Sequence, residues 1–230
     1  MLRLRELEVA GASVASYSGT PEGDCGWEQP GRHAYLEALG VTPELLVCLR
    51  QVHGAEVLRA TQAHAGRGGW RRDDALADAD GLITDVPGLA LGIHAADCIP
   101  VYLYDPGTGA AGLLHAGGQG TFARIAEAGV RAMGEAFGTD PAHLHAAIGP
   151  GAGPRSYVVD EATAAAWRAA GWPGQGRVLD LWGANRQQLV AAGVPAAQVH
   201  ISGICTISDH AYHSYRRDQH QARNLAVIMR

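Results

Sequence analysis

The chain has 230 residues and a formal net charge of −5, with 47% hydrophobic and 18% charged residues. This balance is typical of a folded globular protein rather than a disordered one, and the length suits one compact domain. All 18 basic residues are arginine and most are scattered, so the composition predicts neither a nucleic-acid-binding surface nor a surface for anionic membranes.

The first half of the chain is predicted to consist mainly of short β-strands. Residues 2–18 alternate loosely in hydrophobicity and predict strands, whereas a short helix is predicted over residues 31–39. The polar, glycine-rich stretch 61–80 predicts a mobile loop. Further strands are predicted on both sides of this loop, over residues 45–52, 56–59, 81–85, 89–95, 99–104 and 110–115.

The second half alternates predicted helices with strands. Apolar residues recur at helical spacing from Thr121 to Phe137. The remaining predicted elements are helices over residues 161–170 and 182–192 and strands over 144–148, 200–205 and 225–229. Many short strands with few helices favour an α+β fold. We expect residues 1–230 to form one domain.

Three side chains suited to a metal follow or end predicted strands: His53, Cys98 and His115. Two imidazoles and a thiolate are good zinc ligands, and three protein ligands leave a fourth position for water or substrate, as in catalytic zinc sites. The three residues are far apart in sequence, so their spacing alone is weak evidence. The set therefore predicts a zinc centre that needs support from the surrounding motifs.

Two other features could belong to the same site. Residues 113–121 run from a strand through glycines, including Gly117, into a helix, which suits either anion binding by backbone amides or a tight turn. Asp78-Ala-Asp80-Gly81 resembles the start of a calcium loop but does not begin one, because the twelfth position from Asp78 is Leu89 rather than glutamate. Asp80 and Asp97 are candidate proton carriers or supports for a ligand, although turn-capping is an equally good interpretation of each.

The remaining cysteines do not point to disulfides. The chain has four cysteines, of which Cys48 and Cys205 lie in apolar strands and are predicted to be core residues. No apolar run is long enough to span a membrane, and residues 1–20 lack the pattern of a secretion signal. We therefore expect a cytoplasmic protein that does not bind a membrane.

Several separate motifs occur together in one order. They are Gln51-Val-His-Gly, Ala79-Asp80 with Ile83-Thr84, Ala96-Asp-Cys98-Ile-Pro100, His115-Ala-Gly, Ile148-Gly-Pro150, Asp180-Leu-x-x-Ala-Asn185-x-x-Gln188-Leu, Ile204-Cys-Thr206 and Ser214-Tyr-Arg-Arg-Asp218. This series resembles the YfiH-type family, long labelled laccase-domain or polyphenol oxidase proteins and later described as purine nucleoside phosphorylases. The likeness covers about residues 45–230, and the first 45 residues match poorly.

The resemblance implies an α+β fold of mixed β-sheets flanked by helices, with zinc held by His53, Cys98 and His115. It also implies phosphorolysis of adenosine, inosine and methylthioadenosine, with adenosine deamination as a further activity. Purine nucleosides and phosphate are then the expected partners. The oligomeric state stays open.

The chain departs from the family pattern after His115. The family usually reads His-Ala-Gly-Trp-Arg-Gly, whereas this chain has Gly118 and Gln119 in place of the tryptophan and arginine. Losing that arginine would remove a charge-assisted contact to phosphate. Expected substrate-binding residues are Gly117, Gln119, Arg155, Arg216, Arg217 and Arg223, although solvated surface arginines are common.

Four functions are compatible with these residues. The first is the zinc enzyme acting on purine nucleosides, and the second is a copper-dependent oxidase of phenols, since such a site would also bind copper. The third makes Cys98 a nucleophile with His115 or His53 as its base. The fourth is a metal-binding relative with weakened catalysis.

Overall fold

Two β-sheets lie face to face in the middle of the molecule, and helices cover their outer faces. The computed structural model describes residues 1–230. Its strands are β1 (Leu2–Arg3), β2 (Val14–Tyr17), β3 (Leu46–Cys48), β4 (Val57–Arg59), β5 (Gly81–Thr84), β6 (Ala90–Ala95), β7 (Ile99–Tyr104), β8 (Ala111–Ala116), β9 (His145–Ile148), β10 (Gly174–Gln175), β11 (Val178–Leu179), β12 (Val199–Ile201) and β13 (Asn224–Met229). Its helices are α1 (Arg5–Ala10), α2 (Pro30–Leu39), α3 (Gly118–Phe122), α4 (Ile125–Phe137), α5 (Glu161–Ala169), α6 (Leu181–Ala191) and α7 (Tyr215–Asp218).

Both large sheets are mixed. The five-stranded sheet has the order β1-β2-β13-β6-β3, with β3 parallel to β6 and the other pairs antiparallel. The six-stranded sheet has the order β12-β9-β7-β8-β5-β4, in which only the outer pairs, β12 with β9 and β4 with β5, are parallel. The predicted α+β fold of mixed sheets flanked by helices is confirmed.

The alternation of side chains along each strand builds three packed layers. In β7, Tyr102 points into the core between the sheets, while Val101 and Leu103 pack on the opposite face with α4 and α6. In β13, Leu225 and Val227 pack on the face that α2 covers. Strand side chains alternate between faces, and each buried large apolar side chain contributes about 1.5–3 kcal/mol.

The predicted strand region at the N-terminus contains strands β1 and β2, but an unpredicted helix lies between them. Helix α1 occupies part of residues 2–18, and its Leu7 is buried between exposed or half-buried neighbours. Leu4 and Leu7, three residues apart, both enter the core between the sheets. Side chains at this spacing share one face of a helix, and Gly11, with φ of 123°, ends the helix.

The single helix predicted from Thr121 to Phe137 is broken in two. Arg124 has a left-handed backbone with φ of 67° and separates α3 from α4. One side chain of α6 binds the freed backbone groups: Gln188 accepts from the amide of Ala126 and donates to the carbonyl of Thr121. The break is therefore stabilised by a distant helix, because unpaired buried backbone groups are costly.

Residues 61–80 form a loop between β4 and β5, and their mobility stays a prediction. The middle of this loop is attached to the rest of the protein, since the Gly68 carbonyl accepts hydrogen bonds from Trp27 and Arg32. None of the helices combines the length and apolarity needed to span a bilayer.

Candidate metal centre

Two loops and the end of one strand, at one edge of the paired sheets, bring His53, Cys98 and His115 together. His53 lies between β3 and β4, Cys98 lies in the turn between β6 and β7, and His115 is near the end of β8. Their ligand atoms all lie within 4.8 Å of one another. The turn that carries Cys98 joins the five-stranded sheet to the six-stranded sheet, so the contact depends on both.

Two residues at this edge have a left-handed backbone that is unusual for a side chain other than glycine. His53 has φ of 63° and Asp97 has φ of 87°. Such conformations cost about 1–3 kcal/mol and persist where surrounding contacts hold them. Here, the amides of Val52, His53 and Gly54 all donate to Asp80, at 3.2, 2.9 and 2.6 Å.

Asp80 also fixes the orientation of His115. The carboxylate is fully buried, and its Oδ1 lies 2.8 Å from Nδ1 of His115. In the neutral imidazole, a proton on Nδ1 leaves the lone pair of Nε2 for a metal. Asp80 thus connects the loop that carries His53 to the strand that carries His115.

The charges of the cluster favour the charged forms of Asp80, Cys98 and His115. Burial raises the pKa of Asp80, but hydrogen bonds from His115 and the Gly54 amide outweigh it and leave that pKa below its ordinary value. Burial likewise raises the pKa of Cys98, but His115 and His53 lower it to about 6. Burial lowers the pKa of His115, whereas the Cys98 thiolate and Asp80 raise it to about 9.

This donor set fits zinc. One thiolate and two imidazoles match the ligands of catalytic zinc sites, and a carboxylate bound to a ligand histidine is their usual support. A metal would displace the proton from His115 that the thiolate now attracts, which makes binding dependent on pH. His53 is exposed, so the cluster is open on its side toward the cleft described next.

The cluster lies in a cleft of about 460 Å³. Its walls combine aromatic rings with arginine side chains. The lining residues are Trp27, Gln51, His53, Arg72, His94, Ala95, Ala96, Asp97, Cys98, His115, Tyr157, Tyr215, Arg216 and Arg223. A cleft of this size and composition can hold a small ligand with an aromatic ring and an anionic group.

Two arginines are held in the cleft by aromatic rings. The guanidinium of Arg216 lies 5.1 Å from the ring centroid of Tyr157, and its NH1 donates to the carbonyl of Val158 at 2.6 Å. The guanidinium of Arg223 lies 5.8 Å from the ring centroid of Tyr215. Stacking restrains the side chains while the charge stays available to a ligand.

Asp97 lines the cleft next to Cys98. Its Oδ1 accepts from the hydroxyl of Thr206 and its Oδ2 from the amide of Arg216, both at 2.7 Å. The carboxylate thereby joins the β6–β7 turn to α7. Asp80, in contrast, is absent from the lining and contacts Nδ1 of His115.

The structure separates the expected substrate-binding residues into two groups. Arg216 and Arg223 line the cleft, and Gly117 packs against the cluster, since a Cβ at this position would lie 2.9 Å from Sγ of Cys98. Gln119 and Arg155 are exposed and do not line it.

Arg217 is also outside the cleft. It donates to the carbonyls of Thr206 and Tyr212 and to Asp218. These contacts hold the chain around α7 together.

Several residues that line the cleft were not predicted from the sequence. Trp27 and Arg72 lie in segments without a recognised motif. His94 lies close to Ala96-Asp-Cys98, but an ordinary half-buried histidine was an equally good interpretation. Gln51 stood within the Gln-Val-His-Gly motif. Its side chain exchanges two hydrogen bonds with the backbone of His94, at 2.7 and 2.9 Å, which ties the His53 loop to β6.

The chain is similar to known proteins in sequence and in fold. Residues 29–230 match the family model described as multi-copper polyphenol oxidoreductase laccase, so the match begins upstream of residue 45. The chain is 38% identical over 213 residues to purine nucleoside phosphorylase YlmD of Geobacillus stearothermophilus, covering 86% of this chain and 77% of the relative. It is 39% identical over 198 residues to a purine nucleoside phosphorylase of Deinococcus radiodurans, covering 84% and 72%. The crystal structure of YlmD from Geobacillus stearothermophilus has a TM-score of 0.86 at 33% identity, covering 96% of this chain and 92% of that one.

Proposed function

Because the chain belongs to the multi-copper polyphenol oxidoreductase laccase family, which includes the YfiH-type proteins, we propose that it is a zinc-dependent purine nucleoside phosphorylase. It acts on adenosine, inosine and methylthioadenosine and also deaminates adenosine. The observation that carries the proposal is the grouping of His53, Cys98 and His115 within 4.8 Å at a cleft with arginine and tyrosine side chains.

The cleft walls suit the two substrates. Tyrosine rings such as Tyr157 offer flat apolar faces to a purine. Arg216 and Arg223 offer guanidinium groups, which bind phosphate through paired hydrogen bonds. Phosphorolysis needs phosphate held beside C1′ of the sugar while the base departs with its bonding electrons, and positioned cations favour both.

The chain's own residues have distinct parts in this proposal. His53, Cys98 and His115 would hold zinc, which supplies Lewis acidity in the cleft when bound. Asp80 keeps the proton of His115 on Nδ1. Asp97 is the carboxylate that faces the ligand, and it can accept a proton there.

The test is a product analysis of the purified protein with measured zinc content. Adenosine, inosine and methylthioadenosine are incubated with and without phosphate, and products are separated by chromatography. Phosphorolysis predicts free base and ribose 1-phosphate from adenosine and inosine, and 5-methylthioribose 1-phosphate from methylthioadenosine, only when phosphate is present. Deamination predicts inosine from adenosine without phosphate. If zinc-loaded protein releases no base from any of the three, the proposal fails.

The family description favours a second candidate, a copper-dependent oxidase of phenols. The same three side chains would serve it, since Cu²⁺ generally binds such donors more strongly than Zn²⁺. Loading the protein with each metal in turn separates the two functions. Phenol oxidation that requires copper, without nucleoside turnover in the zinc form, would favour the oxidase.

A cysteine nucleophile is the third candidate. Cys98, His115 and Asp80 stand in the order of nucleophile, base and orienting carboxylate, with 2.8 Å between His115 and Asp80. Activity that survives complete zinc removal and disappears on alkylation of Cys98 would favour this candidate. A protein that binds zinc but turns over no substrate would be the metal-binding relative with weakened catalysis.

A further inference from the structure

Arg32 of α2 is fully buried and uses all of its hydrogen-bond donors. Its Nε donates to the Gly69 carbonyl at 2.7 Å, and its NH2 donates to the Gly68 carbonyl at 2.9 Å and to Sγ of Cys48 at 3.3 Å. Its NH1 donates to the Cys25 carbonyl at 3.3 Å and to Nε2 of His94 at 2.6 Å. A guanidinium has five N–H donors, and here none of the acceptors is a carboxylate.

These acceptors belong to segments that also line the cleft. Cys25 precedes Trp27, the Gly68–Gly69 segment precedes Arg72, and His94 is itself a lining residue. The segments also touch one another, since the Trp27 indole donates to the Gly68 carbonyl at 3.0 Å. The ring centroids of Trp27 and His94 are 4.1 Å apart. Arg32 thus bonds directly to His94 and to the backbone shortly before Trp27 and Arg72, the three residues that form one wall of the cleft.

Burying a charge without a counter-ion lowers the stability of the folded protein, because the charge loses its hydration. An apolar side chain of similar volume would pack there without the desolvation penalty. What only arginine offers is a rigid fork of directed donors, whereas lysine has three donors on one nitrogen. The retained guanidinium therefore indicates that holding these segments in place is its role.

The contact to His94 imposes a specific tautomer. Because Arg32 donates to Nε2, the neutral ring must carry its proton on Nδ1, which is buried and has no partner in the protein. Burial and then the charge of Arg32 hold the pKa of His94 well below its ordinary value, in agreement with a neutral ring. Nδ1 has no acceptor for its proton. This tautomer is therefore favoured only because it leaves the lone pair of Nε2 free to accept the bond from Arg32.

We propose that Arg32 is a positioning residue of the cleft, which assembles the Trp27–Arg72–His94 wall so that this wall binds the purine nucleoside. The identity of the ligand rests on the proposed function; the role of Arg32 in building the wall does not. The wall contributes to substrate affinity and takes no part in bond breaking.

The first test is the kinetics of Arg32→Lys, which keeps the charge and loses the fork. We expect KM for adenosine and inosine to rise about tenfold or more, with kcat within about threefold and zinc content unchanged, as for the loss of an interaction that binds substrate and transition state equally. Arg59→Lys, at a half-exposed arginine paired with Asp85, is the matched control and should change neither constant. Unchanged KM in Arg32→Lys, or a fall in kcat and zinc content instead, would overturn the proposal.

The second test needs neither turnover nor a variant of Arg32. Nitrogen-15 NMR of the imidazoles, assigned with His94→Gln, should find His94 neutral with its proton on Nδ1 in the wild-type protein. A proton on Nε2, or on both nitrogens, would refute the contact even where Arg32→Lys fails to fold. If wild-type protein releases no base from any nucleoside, the proposed function fails, and the NMR result still decides whether Arg32 holds His94.

Discussion

His115 and His94 line the same cleft, and both are buried and bonded to a buried charged side chain. The partner of His115 is Asp80, at 2.8 Å, and the partner of His94 is Arg32, at 2.6 Å. Burial lowers both pKa values. The Cys98 thiolate and Asp80 reverse this for His115, whose pKa rises to about 9, whereas the charge of Arg32 lowers the pKa of His94 further.

The difference shows that the neighbouring charge, rather than burial, decides what an imidazole can do here. His115 faces anionic neighbours, so it attracts either a proton or a metal cation. His94 faces a cation, so it stays neutral and serves as an acceptor in the wall.

Cys98→Ala is expected to have the largest effect, because it removes the only anionic ligand of the cluster. Zinc affinity should fall by more than about 100-fold, beyond the 10- to 100-fold typical for partners that support a ligand. Competition with a chromogenic chelator measures it. Cys205→Ala, outside the cluster, is the control and should bind zinc normally. Full zinc occupancy in Cys98→Ala would mean that this thiolate is not a ligand.

Asp80→Asn is expected to have the next largest effect on zinc binding. The Asp80 carboxylate accepts hydrogen bonds from His53, Gly54 and His115. In asparagine, an NH₂ group replaces one of the two accepting oxygens, so this NH₂ group would face N–H groups that also donate. Zinc affinity should fall about 10- to 100-fold, and the free energy of unfolding should fall by about 1–3 kcal/mol for each donor left unpaired. Urea unfolding and chelator competition measure these changes.

Asp78→Asn is the matched control for this substitution. Asp78 lies two residues earlier, is largely exposed and pairs with Arg50. Its replacement should change stability by less than about 0.5 kcal/mol, as is usual at surface positions. Equal effects of the two substitutions would show that the burial of Asp80 is not what matters.

The thiol of Cys98 should titrate near pH 6 in metal-free protein. Its lowered pKa of about 6 means that thiolate, the reactive form, is present above this pH and is lost as the pH falls through it. The rate of alkylation by iodoacetamide should therefore be constant around neutral pH and fall about tenfold for each pH unit below 6. Peptide mapping follows each cysteine separately.

Two controls accompany this titration. Cys48, whose pKa is raised by burial, should stay unlabelled at neutral pH. Zinc should protect Cys98, because a coordinated thiolate is less available to the reagent. Labelling of Cys98 with an ordinary thiol pKa near 8.5 would contradict the stabilising effect of His115 and His53.

His94→Gln should have a modest effect, in contrast to the same substitution at His115. Glutamine can accept the bond from Arg32 through its side-chain oxygen, so zinc content should stay unchanged and the nucleoside KM should change by less than about tenfold. His115→Gln should abolish most zinc binding. Zinc content and steady-state kinetics are measured for both variants. Loss of zinc in His94→Gln would contradict the proposed difference between the two histidines.

Gln119→Arg should have the smallest effect. The position is exposed and does not line the cleft, and an exposed charge contributes about 0–1 kcal/mol, or at most about fivefold in phosphate affinity. The readout is the ratio of base release to inosine formation from adenosine. An increase of this ratio well beyond tenfold would show that the side chain at position 119 contacts phosphate.

Much of the fold followed from local pattern. The strand over Ile99–Tyr104 was predicted to the residue, and α5 and α6 to within one residue at each end, because alternation and helical spacing are visible within a few residues. Helix α1 escaped prediction because it is short and its apolar residues also fit a loose alternation. The break at Arg124 depends on Gln188, far along the chain, so nothing near Thr121 could indicate it.

The sequence by itself determined the type of most elements, the α+β class and the three candidate metal ligands, since ligand chemistry and turn residues are local properties. The tertiary structure decided how these ligands meet, which arginines reach the cleft and which charge stands beside each histidine. The physical reason is that desolvation and the sign of a neighbouring charge arise only when distant segments pack together. Arg32 illustrates this, because a single arginine on an amphipathic helix becomes the centre of a cleft wall only once four other segments surround it.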